Sequence, residues 1–396
     1  MTQRLAITGG RLVLPDRVLE GHALLVEDGV IRAITPESAL GSATARHDVA
    51  GAFVLPGLID VHTHGGGGRL FNEADEAAWR TILELQLAHG VTSVLPTTLT
   101  ASIGELSEAL AFARDWLAEP RPGAQVLGVH VEGPYFAPEQ AGAQNPEHIR
   151  RPDDGSVDAL LEYADVMRMF SLAPELPGAL ELVQRLTQLG VVAAAGHSSA
   201  RDEHLASAME KGLRHIIHLF SAQSTTVREG PWRKPGLLEA SLAFDDLTVE
   251  VIADLRHLPA TLLKLAYKAI GPDRLCMVSD ATNGAGLPEG TELNLGGLDV
   301  VVSGGVAMLR DLTAFAGSTT LLDRMLQVMH FEVGVPLHEA VRMATLNPAR
   351  AVDVSHRKGS LTVGKDADIA VFNTDLTPVS TMIAGRFTPA RERYLA

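Results

Sequence analysis

Six residues of this chain have the types needed for cation-assisted acid–base chemistry: His62, His64, Glu132, His197, His218 and Asp280. Imidazole nitrogens and carboxylate oxygens bind borderline divalent cations. A carboxylate beside such a cation can take a proton from water and hand it to a leaving group. Singly, the residues say little. His62-Thr63-His64 puts two imidazoles on one face of a strand, but chance pairs are common in a chain with 15 histidines. His197 or His218 alone could be a satisfied core histidine. Asp280 could cap a helix, although Ala281-Thr282-Asn283-Gly284 after it reads as a loop.

Position along a repeating pattern gives the set its meaning. From residue 56 onward the chain shows eight short apolar runs, ending near His64, Thr98, Glu132, Glu175, His197, His218, Asp254 and Asp280. The segments between them are mostly long enough for a crossover helix, and Glu76 to Ala88 and Ile103 to Trp116 show helical spacing of apolar residues. Eight strand–helix units predict a parallel barrel, whose C-terminal strand ends converge on one face. All six candidates sit at such ends.

Residues 5–55 instead alternate apolar and polar groups between turn signals, with Asp28-Gly29 marking a hairpin. The run Gly364 to Phe372 predicts a late strand that rejoins them. The expected class is therefore α/β: a (β/α)8 TIM-like barrel over 56–357, with a small β-sandwich satellite domain formed by both termini, 1–55 and 358–396. A further hairpin over 298–309 fits either the satellite or the barrel rim.

Composition narrows the partners. The 396 residues are 46% hydrophobic and 20% charged, which suffices for an ordinary core. With 33 basic against 48 acidic residues the net charge is -15, so neither nucleic acid nor an anionic membrane is expected as partner. An anionic substrate must then find its cations inside the pocket. The single cysteine, Cys276, permits no internal disulfide or thiolate cluster. Met1-Thr2-Gln3-Arg4-Leu5 lacks a signal-peptide pattern, and no run approaches 18 apolar residues, so a cytoplasmic location is expected.

Over nearly its whole length the chain resembles the N-acetylglucosamine-6-phosphate deacetylases of the amidohydrolase superfamily. The resemblance rests on Pro56-Gly57-Leu58-Ile59-Asp60-Val61-His62-Thr63-His64-Gly65, His130-Val131-Glu132-Gly133-Pro134, Leu172-Ala173-Pro174-Glu175 and Gly196-His197-Ser198. It continues through His218-Leu219, Ile252-Ala253-Asp254, Val278-Ser279-Asp280-Ala281, Ala316-Gly317-Ser318 and Asn347-Pro348-Ala349-Arg350.

The resemblance implies that Glu132, His197 and His218 hold the principal divalent ion, zinc in first place and ferrous iron in second, with Asp280 as general base and acid. Many barrel hydrolases of the superfamily bridge two ions with a carbamylated lysine on an early strand. The first lysine here is Lys211, so Glu132 is the replacement carboxylate. Intact His62 and His64 permit a second ion, giving one or two per chain.

The expected substrate contacts are Gln144, His218, Ser221, Ala222, Arg233, His257, Ala316 and Gly317. Of these, His257 is the sugar- or phosphate-contacting histidine and Arg233 the phosphate arginine. In some members that arginine arrives from a neighbouring subunit, which implies a homodimer. The implied reaction is hydrolysis of an N-acetyl amino-sugar 6-phosphate, a small-molecule substrate, to acetate and the free amine.

Three departures bear on the substrate. Phe220-Ser221-Ala222-Gln223 replaces the family's Tyr-Asn-Ala-Met, Gln144 replaces a common histidine, and a longer 224–233 loop lets Arg228 compete with Arg233. They leave open a deacylase for another N-acyl amine or a cyclic-amide hydrolase. A non-catalytic sugar-phosphate-binding protein is the reading from a different class, opposed by the joint presence of every ligand and the base.

Overall fold

The computed structural model describes residues 4–42, 44–311 and 313–388. The outermost parts of the expected satellite, 1–3 and 389–396, lie outside the described residues.

Eight parallel strands form the barrel: Leu58–Thr63, Val91–Thr98, Val129–Glu132, Met167–Leu172, Val192–Ala195, His215–Ile216, Thr248–Ile252 and Leu275–Val278. Each pairs with the next in chain order. The eighth returns to the first, where Asp280 N–H donates to the His62 carbonyl at 2.9 Å and His64 N–H to the Ala281 carbonyl at 2.8 Å. The strands are almost wholly buried because helices cover the outer face while side chains fill the inner one. The covering helices start where sequence chemistry says they should. Asp75 accepts from Ala78 N–H ahead of Glu76–Ala88, and Ser102 with Glu105 forms a capping box ahead of Ile103–Leu117.

Strands from both ends of the chain make two further sheets. One has four strands in the order Val30–Pro36, His22–Glu27, Arg4–Thr8, Ala45–Asp48. The other has six, and in it Phe53–Pro56 lies between Arg11–Val13 and the late strand Ile369–Phe372. Ile7, Leu24 and Ile31 from the first meet Leu12, Val54, Ile369 and Met382 from the second in one apolar core. The Asp28-Gly29 hairpin is present, with both residues at positive φ (50° and 78°) as its tight turn requires.

Two expectations need adjusting. The late strand begins only at Ile369, because Gly364 turns at φ 91° and Lys365 and Asp366 are drawn into bonding the 29–31 turn. The 298–309 hairpin is the centre of a four-stranded antiparallel sheet, 292–318, which packs Leu295, Val300, Ala307 and Ala316 against Leu70 and Leu99 at the barrel rim. No helix of the described residues is long and apolar enough to cross a membrane.

Candidate metal centre and substrate cleft

The C-terminal mouth of the barrel brings together five of the six candidates around the sixth. Glu132 closes the third strand, and Gly133 (φ 86°) turns the chain immediately after it. Its buried carboxylate faces four imidazoles: Oε1 stands 3.3 Å from His62 Nε2, 3.3 Å from His197 Nε2 and 3.1 Å from His218 Nε2, while Oε2 stands 3.3 Å from His64 Nε2. The ring nitrogens of His197 and His218 are themselves 3.1 Å apart. Asp280 Oδ1 lies 3.2 Å from His64 Nε2 and 3.6 Å from His62 Nε2. It heads a loop and its carboxylate turns into the cluster, so the helix-cap reading falls.

These distances test whether a cation fits. Around a tetrahedral zinc with bonds of about 2.0–2.1 Å, neighbouring ligand atoms stand about 3.3 Å apart. His197 Nε2, His218 Nε2 and Glu132 Oε1 form a triangle with edges of 3.1, 3.1 and 3.3 Å, the face such an ion needs. Protons cannot satisfy the same atoms well. Two imidazole nitrogens point at each other, and His62 Nε2 is buried with no hydrogen-bond partner. The set fits a divalent metal.

Electrostatics agree. Burial works against a charge on His62 and His64, yet Glu250, Glu132 and Asp280 hold His62 well above the usual imidazole range. For His64, hydrogen bonds to Asp280 and Glu132 overcome burial and raise it to about 9. Burial likewise opposes ionisation of Glu132 and Asp280, and the surrounding histidines hold both below the usual carboxylate range. The cluster thus demands positive charge at its centre. A divalent ion supplies that charge and leaves the ring lone pairs free for ligation.

The cleft above is lined by Gln144, Ser221, Ala222, His257, Ala316 and Gly317, all of them among the expected contacts. Gln144 donates to Glu132 Oε2 and accepts from Thr100 N–H at 2.8 Å, so it braces the central carboxylate. His257 Nδ1 is held by Asp254 Oδ2 at 2.7 Å, leaving the other ring nitrogen for a ligand. Gly317 sits at φ 74°, and a Cβ there would meet Thr282 Cγ2 at 2.5 Å and the Asp280 carbonyl at 2.8 Å, so only glycine lets this segment lie beside Asp280.

Arg233 and Arg228 are elsewhere. Both are exposed on a hairpin, Val227–Glu229 with Trp232–Lys234, and neither lines the cleft of its own chain. Gln223 also turns away, donating to the Ile217 carbonyl at 3.0 Å and accepting from Phe220 N–H, so this departure staples its loop.

Sequence reasoning missed Glu250, His215 and Asp60. Glu250 bonds His62 Nδ1 at 2.8 Å and His215 Nε2 at 2.9 Å. The available signal was a lone acid inside the apolar run Thr248-Val249-Glu250-Val251-Ile252. Asp60 accepts from Ser279 Oγ, and burial pushes it up to about 7.

Family models match this chain along almost all of it: the amidohydrolase family over residues 53–388 and the NagA composite domain over residues 5–54. The N-acetylglucosamine-6-phosphate deacetylase of Bacillus subtilis is 32% identical, covering 97% of each chain. This chain belongs to the N-acetylglucosamine-6-phosphate deacetylase family of amidohydrolases. The N-acetylgalactosamine-6-phosphate deacetylase of Escherichia coli O157:H7 is also 32% identical, over 95% of this chain and 97% of its own. The crystal structure of N-acetylglucosamine-6-phosphate deacetylase from Pasteurella multocida superposes with a TM-score of 0.92 at 30% identity, covering 98% of this chain and 100% of that one. The barrel is therefore that of a metal-dependent hydrolase family, and the His and Glu groups at its mouth could hold the metal.

Proposed function

We propose that this chain deacetylates an N-acetyl amino-sugar 6-phosphate, N-acetylglucosamine 6-phosphate first among them, releasing acetate and the amino-sugar phosphate. The observation that carries the reading is the triangle of His197, His218 and Glu132 with the Asp280 carboxylate beside it, in a chain of this family.

Glu132, His197 and His218 hold the principal ion, zinc in first place and ferrous iron in second. His62 and His64 with Glu132 would hold a second. A divalent ion held there would supply Lewis acidity, lowering the pKa of water and polarising the acetyl carbonyl. Asp280 accepts the proton of the attacking water and delivers it to the departing amine nitrogen, which leaves poorly unprotonated. His257 and the Ala316–Gly317 backbone orient the sugar, and Ser221 and Ala222 complete the lining around it.

With no arginine or lysine among the described residues that line the cleft, the phosphate charge falls to His257 and to an arginine from outside the chain. We assign that role to Arg233 of a second copy in a homodimer, with Arg228 as its competitor. We place the reaction in the cytoplasm, consistent with the single cysteine.

The test loads purified protein with zinc or ferrous iron and measures acetate release from N-acetylglucosamine 6-phosphate, its galacto epimer and unphosphorylated N-acetylglucosamine. Metal-dependent release from phosphorylated sugar alone supports the reading, and the two epimers fix its stereochemistry. Metal-loaded protein that releases acetate from none of the three would sink it.

A further inference from the structure

Glu250 stands at the middle of the seventh barrel strand, fully buried and outside the lining of the cleft. Its two carboxylate oxygens serve two histidines from different strands. Oε2 meets His62 Nδ1 at 2.8 Å, and Oε1 meets His215 Nε2 at 2.9 Å. Oε2 also accepts the backbone N–H of His218 at 3.2 Å. His215 is itself anchored, with its Nδ1 2.6 Å from Thr248 Oγ1.

A carboxylate can only accept, so the proton between Glu250 and His62 belongs to Nδ1. That fixes the tautomer and plane of the His62 ring and presents Nε2 with its lone pair free. Nε2 is the buried atom with no hydrogen-bond partner, 3.3 Å from Glu132 and 3.6 Å from Asp280. The backbone bond to His218 reaches the other half of the cluster, at a residue whose φ of 28° needs external support.

We propose that Glu250 is a positioning residue of the metal centre: it orients His62 as a ligand for the second ion, and His215 holds Glu250 in place to do so. The inference rests on the two-ion reading given above. Partners of this kind change metal affinity by about 10- to 100-fold.

The test titrates metal-stripped wild type, Glu250→Gln, His215→Gln and His62→Ala with cobalt(II). It reads ions bound, dissociation constants and the visible absorption of each ion, with urea unfolding of the metal-free proteins alongside. Wild type is expected to bind two ions, and His62→Ala to lose the second. Glu250→Gln puts an amide N–H2 against one of the two imidazoles. It should weaken the second ion about 10- to 100-fold and change its spectrum, while metal-free protein still unfolds cooperatively.

A Glu250→Gln protein that takes both ions with wild-type constants overturns the inference, even if its metal-free stability falls. Should Glu250→Gln not fold, His215→Gln carries the same test, and unchanged constants there overturn it equally. A wild type that binds one ion, matched by His62→Ala, instead overturns the two-ion reading and the inference with it.

Discussion

His197, His218 and Asp280 leave the backbone from left-handed conformations, at φ values of 46°, 28° and 46°. Such conformations cost a non-glycine residue about 1–3 kcal/mol each and persist where the surroundings enforce them. Here they turn three strand ends so that the side chains meet over one point. On the proton-carrying role proposed for Asp280, Asp280→Asn should lower kcat about 10²- to 10⁴-fold while metal content, read by elemental analysis, stays at the wild-type level. His257 makes a pH-dependent contribution. Burial opposes its charge, but the hydrogen bond and charge of Asp254 raise it above the usual imidazole value. Its protonated form therefore contributes stability fully below about pH 6.5, and that contribution is lost as pH rises through the raised folded value. Anion binding follows the same sign. KM for the phosphorylated sugar should climb through that range in wild type and stay flat in His257→Gln; a flat wild-type profile would remove His257 from the phosphate site.

At the scale of elements, the exposed 227–234 hairpin carries the proposal that a second copy completes the cleft. If Arg233 serves the neighbouring cleft, mixing Arg233→Ala with Asp280→Asn chains should recover activity that neither shows alone, since a hybrid dimer contains one intact site. No recovery after subunit exchange would place the arginine in its own chain. The barrel rhythm was legible because each strand is a short apolar run with its chemistry at the end: Val129 to Glu132 announces itself locally. Glu250 was illegible for the opposite reason. Its partners His62 and His215 lie 188 and 35 positions away, and no local spacing marks an acid that pairs across the barrel interior. Of the 292–318 sheet only the central 298–309 hairpin was readable, and the choice between satellite and rim stayed open because it depends on Leu70 and Leu99 far upstream. Gln223, read from its motif as a substrate-loop change, proved to be a loop staple once the Ile217 carbonyl came within reach.

For the whole molecule, one buried cation ties the terminal sheets to the barrel. Lys358 Nζ meets Asp368 Oδ2 and, at 2.7 Å, Gln125 Oε1 beside the second barrel strand. Its side chain is 1% exposed and that of Asp368 6%. Lys358→Met leaves the Asp368 carboxylate without its buried cation, a change that costs about 3–5 kcal/mol. Urea unfolding should show that loss with the m-value retained, and a loss under about 1 kcal/mol would mean that water replaces the lysine. The six-stranded sheet also sets an order of events during synthesis. Phe53–Pro56 must wait for Ile369–Phe372 to cover its second edge, so on a ribosome it emerges some three hundred residues before its neighbour exists. Until then an apolar strand edge stands open to other nascent chains. Translation that stalls late, with the barrel already made, would therefore release a species prone to aggregate through a surface the finished protein never exposes.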